Sequence, residues 1–300
     1  LKKGNQGTKP FIVVDCSTVA YAALYSYGHL SYGNEPTGII FGFLSKLLII
    51  AEKFETNRFV FCWDSKWTHR ENDYPGYKEK RHSRQADLSP EDIQMFKSLD
   101  DQRNIIRKNI LPYMGFRNNF VRPGYEADDL LAIWVRKLSS RFKVIMVTTD
   151  QDMYQCLDCC DIFSPQKKRL FTNQDLLREY NISACQWSLA KAIGGCSGDE
   201  VVGIYGAADP KSPKSKALKY LRGELTKGKI FDRIECEEGK AIIKKNLPIV
   251  TTPYRADEMK RMILRRDKLD KQKFINIFEQ YDLRSFLKPE KFAKWKSLFL

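Results

Sequence analysis

Histidine is scarce in this chain: His29, His69 and His82 are the only three among 300 residues. None stands in a motif with serine or cysteine, so hydrolysis by a Ser/His or Cys/His pair has no support. Walker and dinucleotide-binding fingerprints are missing too, which removes the common phosphate-cradling loops. No run is long and apolar enough to cross a membrane. The opening Leu1-Lys-Lys-Gly-Asn-Gln-Gly has no apolar signal-peptide segment, and the first residue is not Met. Cys16, Cys62, Cys156, Cys159, Cys160, Cys185, Cys196 and Cys236 are spaced without a disulfide framework. Reduced thiols in an intracellular compartment, and no membrane partner, are the expectation. Cys156, Cys159 and Cys160 begin a zinc-like spacing that no second Cys pair completes. Internal repeats, heptads and low-complexity linkers are also missing.

What the chain has is positive charge, and it is unevenly placed. The formal net charge is +14, and residues 201–300 carry 24 Lys and Arg against 13 Asp and Glu. A polyanion is the expected partner. Against that background, acids gather at the ends of apolar runs. Phe11-Ile-Val-Val ends at Asp15, Phe59-Val-Phe-Cys-Trp at Asp64, and Val144-Ile-Met-Val precedes Asp150 and Asp152. The runs predict buried strands, and extended backbone would point the last two carboxylates to one side. Strand, helix, strand alternation predicts an α/β fold with a largely parallel central sheet flanked by helices. Ligand crevices in such sheets lie beyond the carboxyl ends of the strands, where these acids fall.

Other stretches are placed around that sheet. Ser17 and Thr18 are expected to cap a first helix, and residues 39–50 predict a second, strongly apolar one. Trp67 to Arg84 interleaves aromatic and basic residues. Arg70, Lys78, Lys80, Arg81 and Arg84 suit phosphates there, while Tyr74 and Tyr77 suit stacking on unpaired bases. Ser89 to Leu111 predicts a helix opened by Ser-Pro-Glu-Asp. Glu126, Asp128 and Asp129 open another, with Glu126 and Asp129 sharing a face. Further helices are expected over 153–157, from Thr172, over 185–193, from Ala217, and over 257–266, 271–281 and 289–299. Between residues 194 and 216 lies a glycine hairpin with lysines. Gly203 and Gly206 permit close backbone approach, and Lys211, Lys214 and Lys216 suit duplex phosphates.

Taken together and in order, Ile12-Val-Val-Asp15, the Asp64 strand, Tyr77-Lys-Glu-Lys-Arg81, Glu126-Ala-Asp-Asp129, Thr149-Asp-Gln-Asp152 and Gly198-Asp199 resemble the 5′-nuclease superfamily. That family comprises flap endonucleases and 5′→3′ exonucleases, and the likeness is strongest to the stand-alone phage exonuclease and phage RNase H branch. It covers roughly residues 11–205. The resemblance implies metal ligands at Asp15, Asp64, Glu126, Asp128, Asp129, Asp150, Asp152 and Asp199, and catalytic basic residues at Lys78 and Arg81. It implies a nuclease core over 1–180, a basic helical arch about 65–110, and a helical DNA-binding region over 181–300. The hairpin then reads as a helix–three-turn–helix with K⁺ at its glycines. Cys196 stands where the family pattern has Asp, Glu200 where it has Asn, and Ala207-Ala-Asp-Pro replaces the closing glycines.

Two Mg²⁺ or Mn²⁺ ions suit hard oxygen ligands and would permit in-line displacement on phosphorus. Asp15, Asp128 and Asp150 are expected at the first ion, and Asp152 and Asp199 at the second. Asp64, Glu126 and Asp129 would bridge or orient water, while Lys78 offsets phosphate charge with Arg81 assisting. The expected function is a structure-directed 5′ nuclease, acting as exonuclease or flap endonuclease on branched or 5′-ended DNA, or on RNA–DNA hybrid. Replication proteins, a monomeric state and the cytoplasm of a bacterium or phage-infected host complete the expectation. Two alternatives stay open: a junction-binding protein that has lost catalysis, and a metal-dependent ribonuclease of similar fold.

Overall fold

The computed structural model describes residues 9–80, 88–259 and 262–300. In chain order come β1 (Phe11–Asp15), α1 (Cys16–Tyr27), the small strands β2 (Ser31–Tyr32) and β3 (Glu35–Pro36), α2 (Gly38–Phe54) and β4 (Phe59–Trp63). Next are α3 (His69–Asp73), α4 (Pro90–Ile105), a π-helical turn (Ile106–Ile110), α5 (Leu111–Met114), β5 (Asn119–Val121), α6 (Ala127–Ser139) and β6 (Val144–Val147). A 3₁₀ turn (Gln151–Cys156) leads to β7 (Asp161–Ser164), β8 (Arg169–Phe171), α7 (Asn173–Tyr180), α8 (Ala184–Gly194), β9 (Gly195–Cys196) and β10 (Val201–Val202). Last come α9 (Lys216–Leu221), α10 (Lys229–Glu235), α11 (Glu237–Val250), α12 (Lys271–Gln280), α13 (Arg284–Leu287) and α14 (Pro289–Phe299).

Six strands form one sheet in the order β5-β4-β1-β6-β7-β8. Every neighbouring pair is parallel except the β7–β8 hairpin, so the sheet is largely parallel as expected. The basic turn at 165–168 closes that hairpin. Strands buried on both faces explain why the runs are apolar without alternation. Ile12 and Val14 enter one core with α2, while Val13 and Phe11 enter a second with Leu130, Leu131 and Trp134 of α6. Phe274, Phe278, Trp295 and Phe299 of the last helices join the first core, where Phe299 stacks on Phe59 at 5.9 Å between centroids. Among the described residues, no helix is long and apolar enough to cross a membrane.

Two local expectations are corrected. The helix expected over 257–266 is a short 3₁₀ turn (Ala256–Met259), and residues 262–270 have neither helix nor strand. Their backbone is committed elsewhere: the Arg265 N–H donates to Asn118 Oδ1 at 2.8 Å and the Lys268 N–H to the Gly115 carbonyl at 2.9 Å. The second concerns Asp150 and Asp152. β6 stops at Val147, and Asp150 caps the 3₁₀ turn by accepting the Asp152 N–H at 2.8 Å. The two carboxylates therefore do not share an extended strand.

Candidate metal centre

β1 delivers Asp15 to the carboxyl edge of the sheet, where its side chain caps α1. It accepts from the Thr18 N–H at 3.0 Å, from Thr18 Oγ1 at 2.5 Å and from Thr148 Oγ1 at 3.0 Å. Asp15, and neither Ser17 nor Thr18, is thus the cap; Thr18 serves it as donor. The Ser17 hydroxyl donates instead to Asp64, which follows β4. Asp64 also accepts the Ala127 N–H at 2.9 Å, tying β4 to the start of α6. Asp15, Asp64, Glu126, Asp128, Asp150 and Asp199 line one cavity of about 320 Å³, and Lys78 reaches into it.

The acids opening α6 have separate tasks. Glu126 accepts from Lys78 Nζ, from Tyr77 Oη at 3.0 Å and from Arg70 Nη1 at 3.0 Å. Asp129 is turned away from the cavity. Arg70 grips both its oxygens at 2.8 Å, and the N–H groups of Glu126 and Tyr254 donate to it at 3.2 and 2.8 Å. Both its oxygens thus accept two hydrogen bonds each, which gives Asp129 a structural role in this arrangement, and it does not line the cavity. Arg70, expected on nucleic acid, is 3% exposed and donates also to the Ile249 and Thr251 carbonyls. Tyr77 is likewise buried, which takes its ring away from base stacking.

Crowding shows in the protonation equilibria. Burial, then the Asp64 charge, raises the pKa of Asp15. Burial, then Asp150 and Asp15, pushes Asp128 well up. Asp150 rises to about 6 through burial and then Asp152. Glu126 goes the other way: burial opposes its ionisation, but Lys78 and Arg70 outweigh that and lower its pKa. Like charges this close need an added cation to remain ionised together. The donors around the cavity are carboxylate oxygens, which fits a hard divalent ion such as Mg²⁺ or Mn²⁺.

Asp152 lies off that cavity, in a second group. One ligand atom each from Asp152, Cys196 and Asp199 lie within 4.8 Å of one another. Lys191, 1% exposed, lies 2.6 Å from Asp152 Oδ1 and 3.3 Å from Asp209 Oδ1. Burial opposes the Lys191 charge, and Asp152 and Asp209 outweigh it. The Cys196 pKa is pushed up by burial, then by Asp152 and Asp199. Lys191 and Asp209 were not among the expected residues. Their signal was a lone lysine in the otherwise apolar run Leu189-Ala-Lys-Ala-Ile193.

A neighbouring groove of about 980 Å³ shares Asp64, Lys78 and Glu126 with the cavity and adds Trp67, Arg103 and Arg107. Arg103 is a further residue the sequence reading passed over: its Nη2 donates to Ser17 Oγ at 2.8 Å and stands 3.8 Å from Asp64. Arg103 and Arg107 are four apart across the end of α4, a spacing that puts both on one face. Tyr74 is half-buried, and Lys80, Lys211 and Lys214 are exposed while Lys216 is half-buried. Arg81 and Arg84 lie outside the described residues. The glycine hairpin forms as expected, with Cys196 paired to Val201 and Gly195 to Val202. Gly203 packs so tightly that a Cβ would stand 2.3 Å from the Gly194 carbonyl carbon.

A family model described as the 5′-3′ exonuclease, N-terminal resolvase-like domain matches residues 10–181. The chain belongs to that family. Its members fall within the 5′-nuclease superfamily. Among relatives, the 5′-3′ exonuclease of Aquifex aeolicus is 26% identical over 216 residues, covering 71% of this chain and 70% of the relative. DNA polymerase I of Caldicellulosiruptor bescii is 22% identical over 293 residues, covering 92% of this chain. The thermostable DNA polymerase I of Thermus aquaticus is 28% identical over 207 residues, covering 68% of this chain. The chain spans only 33% and 23% of those two polymerases. In structure it is similar to T5 5′-exonuclease with divalent zinc bound, at TM-score 0.69 and 20% identity, covering 83% of this chain and 92% of that one. Such identity shows the shared fold. The exonuclease-domain match takes in every acid from Asp15 to Asp152 and Lys78; Lys191, Cys196 and Asp199 lie beyond it.

Proposed function

We propose that the chain is a metal-dependent 5′ nuclease that hydrolyses phosphodiester bonds of DNA near 5′ ends or flaps, with RNA in RNA–DNA hybrid open to the same chemistry. The observation that carries this is the convergence of six carboxylates and Lys78 on one cavity beyond the sheet edge. Asp15, Asp128 and Asp150 would hold a first divalent ion, and Asp152 and Asp199 a second, with Asp64 and Glu126 orienting water. When bound, such ions neutralise a phosphate and lower the pKa of water beside it.

The protein's own groups do the rest. Lys78 places a positive charge among the acids, where a scissile phosphate can be met without repulsion. Tyr77 and Arg70 hold Glu126 in one orientation from the buried side. Trp67, Arg103 and Arg107 line a groove leading from the cavity, suited to a single strand by stacking and phosphate contact. Lys211, Lys214 and Lys216 present charge beside the glycine hairpin, suited to duplex backbone.

The test is cleavage of a 5′-flap DNA labelled at its 5′ end, in Mg²⁺ and in EDTA, with Asp150→Asn alongside. Short labelled products that need Mg²⁺ and vanish in the variant support the proposal. Tight, salt-sensitive binding with no cleavage in Mg²⁺ or Mn²⁺ overturns it and leaves a DNA-binding protein on a nuclease frame.

A further inference from the structure

We propose that Asp152, Cys196 and Asp199 form a mixed thiolate–carboxylate site that takes a borderline or soft divalent ion, such as Co²⁺, Zn²⁺ or Cd²⁺, in preference to Mg²⁺. This rests on the metal-centre reading above and gives the second position a chemistry different from the first. The cavity lined by Asp15, Asp128 and Asp150 offers oxygen alone, whereas the second group includes sulfur. Thiolate favours softer ions and carboxylate alone favours hard ones, so two positions in one centre differ in selectivity.

The sulfur is aimed, not incidental. Cys196 ends α8's turn into β9, and its pairing with Val201 fixes the side chain toward the acids. It is 3% exposed, and Sγ lies 3.4 Å from Oδ2 of both Asp152 and Asp199. Cys156 and Cys160, by contrast, pack in the apolar core. Lys191 stands where its ammonium can exchange with an ion. Its Nζ lies 2.6 Å from Asp152 Oδ1 and 3.7 Å from Cys196 Sγ, and Asp209 gives it a second carboxylate at 3.3 Å. An arriving ion can displace the ammonium from Asp152 while Asp209 keeps that buried charge paired. Binding forms one metal–sulfur bond and releases the thiol proton to solvent, with no change of oxidation state.

The experiment is a Co²⁺ titration of the whole chain, following the near-ultraviolet thiolate-to-cobalt charge-transfer band, with Cys196→Ser and Cys196→Asp. Cd²⁺ and Mg²⁺ affinities are measured in parallel by calorimetry, and Mn²⁺ binding reports on the oxygen-only cavity. The band should appear in the wild type and be lost in both variants. Cys196→Ser should weaken Cd²⁺ by about tenfold or more, and Cys196→Asp should narrow the Cd²⁺ over Mg²⁺ preference. No band at saturating Co²⁺, or a band unchanged in both variants, overturns the inference. If Mn²⁺ still binds in an Asp150-dependent way, only this inference falls. If Mn²⁺ does not bind at all, the metal-centre reading falls with it.

Discussion

Arg70 holds Asp129 with two parallel hydrogen bonds, Nη1 to Oδ2 and Nη2 to Oδ1, each 2.8 Å long. The pair is buried, stacks under Tyr254 at 4.9 Å, and joins α3, α6 and the segment after α11. Arg70→Met removes the cation and strands a buried carboxylate, at a cost of about 3–5 kcal/mol. Urea unfolding should show that loss, and the double variant with Asp129→Leu should regain part of it. Recovery stays incomplete because the Glu126 and Tyr254 N–H groups lose their acceptor. An unchanged midpoint for Arg70→Met would refute the structural role.

Gly115 has φ 103°, and a Cβ there would stand 1.8 Å from the Lys268 carbonyl oxygen. Gly115→Ala should destabilise by about 1–3 kcal/mol from the backbone conformation alone. It should also loosen the backbone at 262–270, which bonds to residues 115–118. Limited proteolysis should then cut that segment faster than in the wild type. Equal cutting rates would sink the prediction.

β1, β4 and β6 were legible because burial on both faces leaves apolar runs ended by Asp15, Asp64 and, beyond β6, Asp150, whereas β5, β7 and β8 have no such run. The helix over 289–299 was read to its bounds, since Pro289 opens it. The stretch 257–266, of which 260–261 lie outside the described residues, misled because charged residues alone suit either a helix or, as at 262–266, irregular backbone held by hydrogen bonds. What selects between them is Gly115 and Asn118, nearly 150 residues away, which no local pattern encodes. The acids were legible as a group, but their division was not. Asp128 and Asp129 are adjacent in sequence, and only the buried Arg70 shows which one faces away. Arg70 itself looked like a phosphate-binding residue because it stands in a run of the sequence that interleaves basic and aromatic residues. Lys191 was missed because a lone lysine in an apolar helix has no motif until Asp152 and Asp209 surround it.

Arg103 lies between Ser17 and Asp64 at the edge of the larger groove. If it meets a phosphate, Arg103→Ala should weaken DNA binding alike for all sequences and lower the salt slope by about one. KM should rise more than kcat falls, since the residue stands beside the acids and not among them. Binding titrations across salt concentrations decide this, and an unchanged slope would exclude a phosphate contact.

Removing metal should make stability fall with rising pH. Asp15 and Asp128 have raised pKa values, and Asp150 rises from 3.8 to about 6 in the folded protein. A raised folded value means the folded state holds the proton more tightly. That stabilisation is complete below the unfolded value and is lost as pH rises through the folded one. A divalent ion relieves the repulsion that replaces it. The gain in Tm on adding Mg²⁺ should therefore be larger at about pH 8 than at about pH 5, where protons compete for the same carboxylates. At a roughly hundredfold excess over Kd the gain corresponds to about 2.7 kcal/mol. Thermal scans in EDTA and in Mg²⁺ at the two pH values test this, and a gain that shrinks with pH would contradict it.

Lys78 is held in an uncommon backbone conformation, φ 57°, by a bond from its N–H to the Asp199 carbonyl at 3.2 Å. Its ammonium meets Glu126 and stands 3.6 Å from Asp199 Oδ1. That backbone bond joins the aromatic-basic segment to the glycine hairpin, so the charge sits between two parts of the site. Lys78→Met keeps the length and removes the charge. If the ammonium offsets charge on a reacting phosphate, kcat should fall by about 10²–10³ with KM little changed. A merely structural role would instead lower stability and leave kcat at the pH optimum near the wild-type value. Lys78 is the leading charge that lowers the Glu126 pKa, so its loss should move the acid limb of the profile to higher pH. Lys78→Arg should restore the acid limb more than it restores kcat, because a planar guanidinium keeps the charge but not the compact geometry of the ammonium. Loss of stability with kcat at the optimum unchanged would assign Lys78 to the fold and leave phosphate charge to the metal ions alone.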